Sequence, residues 1–599
     1  MGTFITPNMK KIIRLLSVIL LFGSLLVIYS CSEEFLTKEP PGVAAGSVIQ
    51  TPSGVETLIA GVYERMQNGG SMFGGCITSD WTYAGACSDN AYKGTSTGDQ
   101  INFNLLERYE ALPNNPYLNE RWTLCYDGVA RANVALTFLW ETQKGNTPMS
   151  DARAKQAEGE LKTLRAWFHM QANKIFENIP YIKTPTELGT VKPEEVPNTD
   201  PGWAGIEEDL TWAINNLTAA KYNNEKGRVN IYSAKAILAQ AHMYQKDYTA
   251  AEPLLDDIIN SGAFSLVSEY YNNYDMTHEN NAESIFELQC TVTSTATSSV
   301  AGSGCNFHQS GPSSCGGWGF YQPSRVLFEA FQVDAAGLPV LDIADRKTLV
   351  TDMNLGSGVD FTPTTELLDP RVDWIIARRG IDFLGWGIHP GNDWIREQAN
   401  GGPMMTKTFM HKKDEQTLCV NGTGFRNPKN YRTYRYASIL LWKAECLIAK
   451  GGAANLDAAR VLVNQIRARA KTTTPVKGLC TSTKNLASNP TVDWTKDAAN
   501  YLVNEYPGGG VYPFDTQANA LKAVQVETQL EFALTCHRFF DLRRWGILAS
   551  TLNDYIVRDI SQRGFMVGAT FNATEDDYWP LPQNQIDIQK GVLTQDSSY

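Results

Sequence analysis

A chain of 599 residues with 43% hydrophobic side chains has enough apolar mass for a large packed core. Its formal net charge of −12, with no basic stripe to offset it, excludes nucleic acid as a partner and disfavours adsorption to an anionic membrane face. Forty-eight glycines and an aromatic content of 11% point to long shaped loops beside regular elements.

The first element in chain order is an export signal. Lys10, Lys11 and Arg14 precede an apolar run from Leu15 to Tyr29, the length of a signal h-region and too short for a membrane span. The run ends in Ile28-Tyr29-Ser30-Cys31, a small residue followed by cysteine. This resembles a bacterial lipobox without its usual leucine three residues before the cysteine. Cys31 is therefore the expected lipidation site, with residues 1–30 as the removed signal peptide and residues 31–599 as one mature domain. Each buried CH₂ of an acyl chain contributes about 0.8 kcal/mol, so a multiply acylated cysteine tethers a soluble body to a membrane.

Helical periodicity dominates the mature chain. A segment covering Val129–Trp140 pairs with Ala157–Phe176 as an αα-hairpin. Ala234, Ile237, Leu238, Ala241 and Tyr244, a break at Gln245 to Asp247, then Tyr248, Ala251, Leu254, Leu255, Ile258 and Ile259 predict a second, closed by Gly262. The third spans Ala437 to Ala470 around Gly451-Gly452. Small residues facing large ones give these hairpins a tetratricopeptide-like character, but they lie too far apart for a tandem array. The fold class expected is mainly α: a tetratricopeptide-like scaffold with long insertions near 68–104, 291–320, 352–430 and 472–515. Short strands such as Ser284–Leu288 are expected to form small β-hairpins at their edges. Long loops in a packed protein tend to carry function.

Ten cysteines remain beyond Cys31. An even number in an exported chain permits disulfides, and Cys76/Cys87 and Cys305/Cys315 are close enough in Gly/Ser-rich loops for local bridges. Cys446 and Cys536 fall within helical patterns and are expected to pack as small apolar residues. With no CxxC pair, no metal site is expected, nor any cofactor.

Catalytic motifs are scarce. His278-Glu279-Asn280-Asn281-Ala282 begins like HExxH but has alanine at the second metal position. Gly94-Thr95-Ser96-Thr97-Gly98 matches GxSxG, yet the polar, turn-like Ser88–Lys93 before it does not suit a nucleophile elbow. No catalytic residue is assigned. Binding is better supported, because aromatic faces stack on sugar rings while neighbouring polar groups bond hydroxyls. The ligand-contact candidates are Trp81, Tyr83, Asp89, Asn90, Trp318, Tyr321 and Trp386. The alternative for each tryptophan is burial as a loop anchor.

Several segments resemble one known family. Gln529-Leu530-Glu531-Phe532-Ala533-Leu534-Thr535-Cys536-His537-Arg538-Phe539-Phe540-Asp541-Leu542-Arg543-Arg544-Trp545-Gly546 is similar to the C-terminal signature of the SusD/RagB outer-membrane nutrient-binding lipoproteins. Pro580-Leu581-Pro582-Gln583-Asn584-Gln585-Ile586 resembles the family's tail, and Glu160–Ala166 with Asn178–Tyr181 its early helix and Pro turn. Glu283–Glu287, Asp369-Pro370-Arg371, Arg378-Arg379-Gly380 and Tyr434–Ala437 fit in the expected order. Thr528, Gln529 and Thr535-Cys536 depart from the pattern on the signature helix. There Glu531, Arg538, Asp541, Arg543 and Arg544 are expected to form an ion-pair network.

The resemblance implies a surface-exposed outer-membrane lipoprotein that binds glycans, or peptides in some branches. It also implies pairing with a SusC-like TonB-dependent transporter. The acidic Ser32-Glu33-Glu34 resembles the surface-export signal of such lipoproteins. A surface glycoside hydrolase and a purely structural adaptor are the competing readings.

Overall fold

The computed structural model describes residues 49–66, 73–74, 79–290, 317–419, 428–488 and 490–599. The export signal, Cys31, Cys76, Cys305 and Cys315 lie outside the described residues.

Eleven of the longer helices matter for the architecture. They are α1 (Pro52–Arg65), α2 (Pro116–Lys144), α3 (Asp151–Phe176), α4 (Trp203–Asn216), α5 (Ile231–Tyr244), α6 (Tyr248–Asn260), α7 (Tyr436–Lys450), α8 (Ala453–Thr472), α9 (Gln517–Glu531), α10 (Arg538–Trp545) and α11 (Leu548–Ile560). Local chemistry sets their ends. Asn115 caps α2 by accepting from the Tyr117 amide, with Pro116 in the first turn, where its missing N–H is no loss. Asp247 caps α6 in the same way through the Ala250 amide. Between α7 and α8, Gly451 and Gly452 have φ of 72° and 83°, a conformation that any Cβ would oppose.

All three expected hairpins form: α2 packs on α3, α5 on α6 and α7 on α8. They also stack across the gaps. Helix α3 contacts α4, α4 contacts α5, and α6 packs directly on α7 although Asn260 and Tyr436 lie far apart in sequence. The scaffold is thus spatially continuous, and residues 261–435 are an excursion from it.

Strands are short and mostly tie distant segments. β1 (Ala91–Gly94) pairs antiparallel with β3 (Phe320–Pro323), β2 (Ser284–Leu288) with β6 (Tyr431–Arg435), and β4 (Ile376–Ala377) with β5 (Met405–Thr406). Among the described residues only β7 (Lys477–Cys480) and β8 (Val492–Asp497) make a local hairpin. The expectation of edge hairpins is corrected for Ser284–Leu288: its partner is the strand leading into α7.

One contiguous apolar core extends from Val55 to Leu593, with a small satellite of Ile381, Val476 and Ala498 beneath Trp374. The segment 79–95 is buried throughout, so its Gly/Ser/Asn composition marks turns inside the core and not an exposed loop. Cys87 is a buried free thiol, which corrects the Cys76/Cys87 bridge. Cys446 and Cys536 are buried in the core, as expected.

The family-like segments converge on buried charge. Arg371 reaches Asp369 at 2.8 Å, Glu527 at 2.8 Å and Glu531 at 3.0 Å. Arg435 and Arg469 bind both Glu283 and Glu531. Burial alone would raise the Glu531 carboxyl, but Arg469, Arg435 and Arg371 outweigh it and hold it down at about 2. The rest of the signature helix joins other partners: Arg538 binds Asp89, Arg544 binds Glu445 and Asp541, and Arg543 donates to the carbonyls of Lys174 and Asp577. The expected single network is therefore several, each fastening this helix to a different part of the scaffold.

Candidate functional site

Most of the aromatic and polar candidates lie in the core. Trp81, in a π-helical turn Trp81–Ala86, is 1% exposed and stacks on Phe103 at 5.2 Å. Tyr83 is buried, donates to the Tyr117 carbonyl at 2.9 Å and meets the Trp579 edge at 5.0 Å. Tyr321 is buried with its hydroxyl 3.1 Å from Cys536 Sγ. Asp89 receives two bonds from the Arg538 guanidinium, and Asn90 Oδ1 accepts from Gln529 at 2.9 Å. These five are corrected: they offer no exposed face to a ligand, because their apolar area and polar atoms are consumed by packing and internal bonding. Trp386 is half-buried and donates its indole N–H to the His411 carbonyl at 3.1 Å, which anchors a turn.

Trp318 differs. It is 48% exposed, although its neighbours Gly317, Gly319 and Phe320 are buried. Gly319, at φ 77°, turns the chain into β3, and its carbonyl accepts from the Thr95 amide. Two residues on from Trp318, Phe320 packs on the buried Trp81 at 5.9 Å, which ties the start of β3 to the core.

Polar side chains gather beside this indole. The Arg396 guanidinium lies 5.4 Å from the ring centroid. It is oriented by bonds to Thr95 Oγ1 at 2.9 Å and Asp99 Oδ2 at 3.0 Å, while the Thr95 hydroxyl donates to the same Asp99 oxygen at 2.9 Å. Thr97 donates to Glu397 at 3.2 Å, and Asn400 donates to the Gly94 carbonyl at 2.8 Å. The result is a half-exposed indole with a fixed cation over its ring, the cation in turn held by Asp99 and Thr95. Such a group can stack on an apolar ring face and bond the hydroxyls around it.

Arg396, Asp99, Thr97 and Glu397 were not among the sequence candidates. The signal available was Gly94–Asp99, a polar run that stands out only for its GxSxG match. In the structure a strand does precede Ser96, contrary to the turn-like expectation, but Thr97 to Gln100 lie between Ser96 and the helix Ile101–Glu107. Among the described residues no group of three or more His, Cys, Asp or Glu side chains is placed to hold a metal ion. No helix among them is long and apolar enough to cross a membrane.

Comparisons with known proteins agree with this architecture. The model of the SusD family matches residues 282–599, and a second model, described as starch-binding associating with outer membrane, matches residues 34–244. The SusD-like protein P25 of Formosa agariphila is 22% identical over 591 residues, covering 96% of this chain and 97% of its own. A SusD superfamily protein from Bacteroides vulgatus superposes with a TM-score of 0.64 at 20% identity, over 91% of this chain and 99% of that one. Surface glycan-binding protein A from Bacteroides thetaiotaomicron, in complex with laminarihexaose, superposes with a TM-score of 0.62 at 19% identity, over 92% and 100%. These structural likenesses establish the fold, and the family match extends over more than half of the sequence. The chain belongs to the SusD family.

Proposed function

We propose that this protein is a glycan-binding lipoprotein of the outer-membrane surface, tethered through Cys31, which hands oligosaccharides to a SusC-like TonB-dependent transporter. The observation that carries the binding half is the exposed indole of Trp318 beside the oriented guanidinium of Arg396. A half-exposed tryptophan already held against an oriented guanidinium needs little reorganisation to stack on a pyranose, so little ordering entropy opposes binding. The lipobox-like Ile28–Cys31 supports the tether. The family's outer-membrane association supports the location, and a laminarihexaose complex of a fold neighbour supports a glycan ligand.

Affinity electrophoresis of the unlipidated mature protein through gels containing laminarin, starch, xylan or arabinan tests this reading. Retardation by at least one polysaccharide is expected. Unretarded migration through all four, with specific capture of peptides instead, would replace the glycan with a peptide.

A further inference from the structure

A second depression, separate from the Trp318 platform in all its lining residues, is built on the excursion from the scaffold. It is a groove of about 640 Å³ lined by Trp374, Asp382, Leu384, Gly385, Lys412, Lys413 and Asp414. Trp374 forms its aromatic wall. One side of this indole rests on Tyr271, with ring centroids 5.1 Å apart, and its N–H donates to the Thr474 carbonyl at 2.8 Å. The indole also covers the satellite core of Ile381, Val476 and Ala498, so it is fixed in orientation while remaining only partly buried.

Leu384 and Gly385 enter the lining from a tight turn, Phe383–Trp386, closed by the Trp386 amide on the Phe383 carbonyl at 2.9 Å. Its two central residues, Leu384 and Gly385, have φ of 53° and 79°. Such a turn favours Asn or Gly at both places, and leucine adopts this backbone only against steric resistance. Asp382 holds the turn by accepting from the Gly385 amide at 2.8 Å, and Trp386 pins it to His411. A strained apolar residue kept at a groove wall is a recurrent mark of a binding surface. Gly385 suits the turn through its φ of 79°, for a Cβ there would make only ordinary contact with Lys413.

The charged groups select among ligands. Two ammonium groups, Lys412 and Lys413, and two carboxylates, Asp382 and Asp414, line the groove, so it carries no net charge. Lys412 is already committed to Asp275 at 2.7 Å, whereas Lys413 and Asp414 are exposed. A fixed aromatic face with one exposed donor and one exposed acceptor fits a ring that has both an apolar face and hydroxyls.

We infer that this groove is a second saccharide site, taking an uncharged pyranose unit stacked on Trp374 with its hydroxyls bonded by Lys413 and Asp414. The inference rests on the glycan-binding reading above. One segment connects the two places: Phe383 of the turn packs against Trp394 at 5.7 Å, two residues before Arg396 of the platform. A polysaccharide long enough to occupy both would gain avidity without any new contact at either.

The test compares migration through gels containing laminarin, starch, xylan or arabinan for five proteins: wild type, Trp318→Ala, Trp374→Ala, Lys413→Ala/Asp414→Ala, and Trp318→Ala combined with the latter pair. The exposed pair guards against a folding defect in Trp374→Ala. With a retained polysaccharide, Trp318→Ala should keep residual retardation that the combined variant loses, and Lys413→Ala/Asp414→Ala alone should weaken retention at least threefold. If the Lys413/Asp414 variant migrates like wild type and Trp318→Ala abolishes retention, the groove is not a saccharide site and the platform reading stands. If wild type is retained by none of the four, both readings fall.

Discussion

Arg538 and Asp89 lie 449 positions apart and are joined by two hydrogen bonds, Nε to Oδ1 at 2.8 Å and Nη2 to Oδ2 at 3.0 Å. The family signature helix thus clamps the buried segment that carries β1, and β1 in turn carries the Thr95–Asp99 loop beneath Arg396. The carboxylate thereby ties the signature helix to the segment from which the platform loop extends. Asp89→Ala leaves the Arg538 charge without its partner in a buried setting, at a cost of about 3–5 kcal/mol. Thermal denaturation should register a large fall in midpoint, and an unchanged midpoint would make Asp89 dispensable to the fold.

The same logic applies to Trp81. Its burial against Phe103 and Phe320 predicts a loss of about 3–5 kcal/mol on Trp81→Ala. Chemical denaturation should show an earlier midpoint. A variant as stable as wild type but deficient in ligand binding would return Trp81 to the binding surface.

Glu531 offers a third stability test. Three arginines share this buried carboxylate, so Glu531→Gln removes the one negative group among the described residues that Arg371, Arg435 and Arg469 contact in common. A cost of about 3–5 kcal/mol is expected, measured by denaturant unfolding. A near-neutral effect would mean that Glu283, Glu527 and Asp369 compensate by themselves.

The buried His169 predicts a pH dependence. Its Nδ1–H donates to the Arg165 carbonyl at 2.9 Å, and its Nε2 accepts from the Ile182 amide at 2.9 Å, so both nitrogens are used by the neutral ring. Burial, and then the nearby Arg165, pushes its pKa down to about 3. Folded His169 stays neutral where the unfolded ring, near 6.5, becomes protonated. Its contribution is therefore complete above about pH 6.5 and declines by about 1.4 kcal/mol per unit below it. His169→Gln should be clearly destabilised at pH 7.5, and its deficit relative to wild type should shrink by about 2 kcal/mol at pH 5. A deficit independent of pH would contradict a buried neutral ring.

Helices and their pairing were legible in the sequence because apolar spacing, Gly451-Gly452 and the Asp247 cap are local signals. The stacking of α6 on α7 was not, since no local pattern reports that Asn260 returns to the scaffold at Tyr436. The binding candidates show the sharper limit. Trp81, Asp89 and Asn90 look like loop residues by composition, yet their partners Phe103, Arg538 and Gln529 lie as much as 449 positions away and bury them. Trp318 was legible as an aromatic in a Gly/Ser run. Arg396 was not, because its link to Asp99 spans 297 positions.

The central claim is that Trp318 is the contact face for a glycan. Calorimetric titration of the mature protein with oligosaccharides of whichever polysaccharide retards it, set beside Trp318→Ala, tests this most directly. The account predicts at least a tenfold loss of affinity, about 1.4 kcal/mol, with an unchanged melting midpoint, since the side chain is 48% exposed. Equal affinity in the two proteins would contradict it.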